Sequence, residues 1–119
     1  MRSSARASRF TARSVPGLLE SAYEHCLEYE FNNRGIRFRR QVPVPVIYEG
    51  VRLNCGYRVD FMVDGDVILE VKSVDVLRPI HDAQVITYLR LTDARHALLL
   101  NFNCPTLREG LRSFVGREK

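Results

Sequence analysis

Three features of this sequence predict a mixed α/β domain, a central sheet flanked by helices in the order α-β-β-β-α-β-α. The first is a change of period. Apolar residues recur at helical spacing over "VPGLLESAYEHCLEYEFNNRG" and at alternating spacing from Ile36 to Asp75. The second is a pair of turn signals, Glu49-Gly50 and Asp64-Gly65, inside the alternating region. The third is the helical stretch "RPIHDAQVITYLRLTD", which leads into the continuous apolar run "HALLLNFN". A helix joining two strands this way makes them parallel neighbours, and a sheet covered by helices buries every apolar face.

Taken in order, residues 1–14, "MRSSARASRFTARS", hold four arginines and no acid. They are expected to form a flexible basic arm, a composition equally suited to a transit peptide, a phosphate-touching segment or an inert tail. Residues 15–119 are expected to form one domain. Its first helix has Pro16 in the first turn and Asn33 with Gly35 as a stop. Leu19, Tyr23, Cys26, Leu27 and Tyr29/Glu30 give it an apolar stripe, and Glu20 suits the positive end of its macrodipole. Pro43 and Pro45 cannot donate to a ladder, so their strand belongs at an edge or carries a bulge. Pro79 opens the second helix, and "HALLLNFN" reads as a strand buried on both faces, parallel to "DVILEVK". "TLREGLRSFVGREK" reads as a closing amphipathic helix.

The bulk composition narrows the function. Hydrophobic residues make up 45% and charged residues 27%, and no apolar run approaches the roughly 18–20 residues of a membrane span. A formal charge of +4 suits an anionic partner such as nucleic acid. Cys26, Cys55 and Cys104 are scattered with no Cys-x-x-Cys pair, which argues against a zinc or disulfide framework and for reduced thiols in a cytoplasmic protein. His25 and Cys26 are adjacent on a helix and point in different directions, so they do not form a nucleophile–base pair.

Strand interiors disfavour acids, yet "YRVDFMVDGDVILEVK" has Asp60 in one strand and Glu70-x-Lys72 in the next. A two-residue connection at Asp64-Gly65 would set Asp60 across from Leu69 and split the apolar residues between faces. Each large side chain left in water forfeits about 1.5–3 kcal/mol. A three-residue connection, Asp64-Gly65-Asp66, sets Val63 against Val67, Phe61 against Leu69 and Asp60 against Glu70. Tyr57, Val59, Phe61 and Val63 then share one face, and Asp60, Glu70 and Lys72 share the other. Two carboxylates placed opposite each other call for a cation between them, and hard oxygen ligands suit Mg²⁺ or Mn²⁺. Lys72 would sit beside that ion, able to orient a water or stabilise charge on a phosphate.

At these residues the sequence resembles the PD-(D/E)XK nuclease superfamily, with Asp60 followed by Glu70-Val71-Lys72 and Val59 standing in place of the motif's proline. "GLLESAY", with Gly17, Glu20 and Tyr23, resembles the signature of the GxxExxY protein family within it. "QVPVPVIYEGVRLNCGYRVDF", "VILEVKSVD", "IHDAQVITYLRLT" and "LLLNFN" are similar to further segments of that family, so the likeness runs from about Pro16 to Phe114. Where that family carries an apolar helix ahead of the glycine, this chain is rich in arginine and serine. The resemblance implies a restriction-endonuclease-like core. It also implies metal ligation by Asp60, Glu70 and the Val71 carbonyl, a further metal ligand in Glu20, and a Gln-x-x-x-Tyr pair, Gln84 and Tyr88, at the active-site edge. The expected function is a metal-dependent nuclease acting on nucleic acid, DNA in particular, with Lys72, Glu70, Asp60, Gln84 and Tyr88 as catalytic residues. Arg58, Arg78 and the basic arm are the candidate phosphate contacts. The alternative is a non-catalytic nucleic-acid-binding or regulatory module on the same fold; on either reading a homodimer or a partner protein is a candidate assembly.

Overall fold

The computed structural model describes residues 20–104, 106 and 108–116. The expected basic arm and the start of the first helix at Pro16, Gly17 and Leu19 lie outside these residues. Two helices and seven strands follow one another among the described residues. They are α1 (Glu20–Asn33), β1 (Phe38–Pro43), β2 (Val46–Tyr48), β3 (Val51–Leu53), β4 (Arg58–Val63), β5 (Val67–Lys72), α2 (Pro79–Leu91), β6 (His96–Asn101) and β7 (Leu111–Val115). None of the described helices is long and apolar enough to cross a membrane.

Five strands form a mixed sheet in the order β1-β4-β5-β6-β7. Strand β5 lies parallel to β6 across the α2 crossover, and the other neighbours are antiparallel. The strand carrying Pro43 is at the edge, where a missing N–H breaks no ladder. The alternating region is not one continuous meander. Among the described residues β2 and β3 pair only with each other, in a separate hairpin inserted between β1 and β4. Glu49 and Gly50, with φ of 50° and 75°, close that hairpin as a two-residue turn of the left-handed kind that matches strand twist.

The β4–β5 hairpin has the three-residue connection expected from the sequence. Asp64 and Gly65 take φ of 55° and 70°, the Asp66 amide donates to the Val63 carbonyl, and Val67 resumes the ladder opposite Val63. Phe61 therefore pairs with Leu69 and Met62 with Ile68. The sheet is buried on both faces. Tyr23, Phe61, Leu69, Val71, Leu100 and Phe102 pack on one side, where Leu27 and Phe31 of α1 join them. Met62, Ile68, Ala97 and Leu99 pack on the other, against Val85, Tyr88 and Leu89 of α2. The Tyr23 ring stacks on Phe102 at 4.6 Å, which holds α1 against the sheet. Tyr29, placed on the apolar stripe by its spacing, is instead 62% exposed.

Two further expectations need correction. Val59 is buried with Met62 and Ile68 rather than with Phe61, so strict alternation fails at Asp60. The backbone there is not a regular strand pair: Gln41, opposite on β1, has φ of 55° and drops out of the pairing between Val42↔Val59 and Arg40↔Phe61. The second correction is the closing helix. Leu111–Val115 is a strand, antiparallel to β6. Gly110 lets the chain return against β6, since a Cβ there would come within 2.2 Å of the Asn101 carbonyl oxygen. Pairing covers what would otherwise be an open edge on a largely buried strand, and that tertiary gain overrides the helical spacing.

Candidate active site

The acids meet where the β4–β5 ladder ends. Beyond Phe61↔Leu69 the two strands are joined by side chains: the Asp60 amide donates to Glu70 Oε1 at 2.9 Å, and the Val71 amide donates to Asp60 Oδ2 at 2.8 Å. Each acid thus satisfies a backbone donor of the other strand, which explains how two acids persist inside a sheet. Glu70 is only 3% exposed. Burial first, and the neighbouring Asp60 charge second, push the Glu70 carboxyl up to about 8. Burial also raises Asp60, against the Val71 amide, which favours its ionised form. The Lys72 ammonium draws both carboxyls back down without offsetting burial.

Two desolvated carboxyls in this arrangement cannot both ionise without a cation. A shared proton meets that need, and so does a hard divalent ion. No group of three His, Cys, Asp or Glu side chains converges as a metal cluster among the described residues. Magnesium held by one or two carboxylates, its other positions filled by water and substrate phosphate, requires no third. Asp60 and Glu70 supply two hard oxygen donors of that kind. Glu20 lies at the same end of β5, but its Oε2 accepts from the Ser73 amide at 3.1 Å.

Helix α2 brings the next pair. Gln84 and Tyr88, one turn apart, are hydrogen bonded, Gln84 Nε2 to the Tyr88 hydroxyl at 3.3 Å. Burial raises the Tyr88 phenol, and the Glu70 and Asp60 charges add to that, which ties Tyr88 to the acid pair. The backbone amide of Arg58, an exposed residue at the start of β4, faces the Tyr88 phenol oxygen and draws it back down. Arg78 caps α2 on the solvent side, its amide donating to His81 Nδ1, and makes no hydrogen bond or ion pair with the acids among the described residues.

Sequence reasoning missed two supporting residues. Glu24, 5% exposed and one helical turn beyond Glu20, accepts from Arg40 Nε at 3.1 Å and Gln41 Nε2 at 2.7 Å, and its charge raises Asp60. The spacing Glu20-x-x-x-Glu24 was the available signal. Asn101, 1% exposed, accepts from the Val74 and Asn103 amides and donates to the Val74 carbonyl. It pins the segment after Lys72 to the end of β6. An amide closing an otherwise apolar strand was the only sign of it.

The family model for the PD-(D/E)XK nuclease superfamily matches residues 6–114. Comparison with curated proteins and with solved structures returns no match.

Proposed function

The chain belongs to the PD-(D/E)XK nuclease superfamily, and from that premise we propose that it is a divalent-metal-dependent nuclease hydrolysing phosphodiester bonds, with DNA as the substrate. The observation that carries this reading is the buried cross-strand exchange between Asp60 and Glu70 beside Lys72. Asp60, Glu70 and the Val71 carbonyl would hold magnesium or manganese, and Glu20 would reach it through water or a second ion. Bound there, the metal supplies Lewis-acid polarisation of the phosphate and a more acidic water. Lys72 offsets the negative charge that builds on the phosphate oxygens as the bond breaks. Gln84 and Tyr88 align the strand at the rim, and Arg58 and Arg78 contact phosphates outside the reacting one. Glu20 and Tyr23, one helical turn apart on α1, keep the finer likeness to the GxxExxY family open to test.

A second reading, a binding or regulatory module without chemistry, is favoured by one feature: Glu20 is committed to the Ser73 amide rather than joining the acid pair. Incubation with plasmid, single-stranded DNA and RNA separates the two readings, using Mg²⁺, Mn²⁺ or EDTA with wild type, Glu70→Ala and Lys72→Ala. Metal-dependent cutting abolished by both substitutions supports the nuclease. Folded protein that binds the metal and cuts nothing supports the module.

A further inference from the structure

A groove of about 470 Å³ opens beside the acid pair, lined by Tyr57, Ile80, His81, Ala83, Gln84, Thr87 and Tyr88. Tyr88 belongs to both: its hydroxyl is hydrogen bonded to Gln84 on the groove side, and its phenol feels the Asp60 and Glu70 charges on the other. Tyr57 stands over Tyr88 edge to face, centroids 6.3 Å apart, and remains 44% exposed. Ile80, across the groove, is 69% exposed. None of the lining residues is an acid. The nearest acid in the first turn of α2, Asp82, is paired with Arg112. Exposed arginines flank the groove in sequence, Arg58 next to Tyr57 and Arg78 at the N-cap of α2.

Aromatic rings, an exposed aliphatic side chain and an amide lining the groove, with exposed arginines next to it in sequence, match the chemistry of one nucleotide, whose base is flat and apolar and whose phosphates are anionic. The volume suits a ligand of that size. A base in a duplex has both faces covered by its neighbours, so only an unpaired or extruded one can enter. We propose that this groove holds the base of an unpaired nucleotide next to the scissile phosphate, stacked on Tyr57, so that the preferred substrate is single-stranded or frayed nucleic acid. The proposal rests on the nuclease reading for its position along the strand but not for binding itself.

The test is a titration of single-stranded oligonucleotides carrying 2-aminopurine at successive positions, in Ca²⁺ and separately in EDTA. Wild type quenches the fluorescence at one position. Tyr57→Ala loses the quench and binds about 5- to 150-fold more weakly, and Tyr57→Phe, which keeps the ring, restores both. No binding, no quench at any position, or an equal quench from Tyr57→Ala overturns the groove assignment, as does equal affinity for an end-free duplex. Adding Mg²⁺ or Mn²⁺ then separates the two ideas. Quenching without cleavage leaves the groove and removes the hydrolase. Cleavage with wild-type affinity in Tyr57→Ala does the reverse.

Discussion

The two ends of the β4–β5 hairpin carry acids in opposite circumstances. At the turn, Asp64 pairs with Arg37 and Asp66 with Arg95, each at 3.0 Å and open to water. The Arg95 guanidinium beside Asp66 holds its carboxyl below the usual carboxylate range. At the far end the half-buried Asp60 faces the buried Glu70, with a lysine felt through space and desolvation pushing both carboxyls up. Folding has given the turn acids their cations. At the other end it leaves a negative charge to be balanced from outside, by a proton or by a metal. Acids of one strand pair thus divide into structural and chemical roles according to who supplies the positive charge.

The largest effect expected from breaking this contrast is on hydrolysis. Glu70→Gln and Asp60→Asn each remove one ionisable oxygen, and each should lower metal-dependent cleavage by about 10²–10³-fold or more, measured as single-turnover rates in Mn²⁺. Rates within a few-fold of wild type would place the chemistry elsewhere.

Next comes pH. Glu70 rises from an ordinary 4.5 to about 8 on folding, so between those limits the folded protein holds more protons than the unfolded one. Stability in EDTA should therefore be fully present at the acid end and fall as pH rises towards 8. Mn²⁺ competes with the proton for the same oxygens, so its stabilising effect should grow across that window. Thermal melts at stepped pH check both slopes, and Glu70→Gln should flatten them.

Asn101→Ala should be smaller. It leaves the half-buried Val74 amide and carbonyl without that partner, at no more than about 1–3 kcal/mol per group, seen as a lower denaturation midpoint. Because the loosened segment follows Lys72, kcat should fall more than oligonucleotide affinity. The smallest effect is expected at the turn, where Asp66→Asn breaks an exposed pair. Its Tm and cleavage rate should stay close to wild type. A large loss there would abolish the distinction between the ends.

Much of the site was legible before folding was considered. The three-residue connection, and with it the meeting of Asp60 and Glu70, followed from keeping Phe61, Val63, Val67 and Leu69 together. Gln84 and Tyr88 were singled out by the family resemblance, and their four-residue separation puts them on one helix face. The role of Asn101 was hidden because its partners at Val74 are 27 residues away. Tyr57 gave no signal at all, since its groove exists only once α2 lies over the start of β4.

Local pattern determined the helices, the edge strand and the hairpin register, because burial of apolar side chains is decided by period and by the few residues around a turn. Whether Leu111–Val115 became strand or helix, which face received Val59, and which acids went without an ion pair were decided by packing. Those outcomes depend on which surfaces meet across the folded sheet, and a period along the chain carries no information about its neighbours in space.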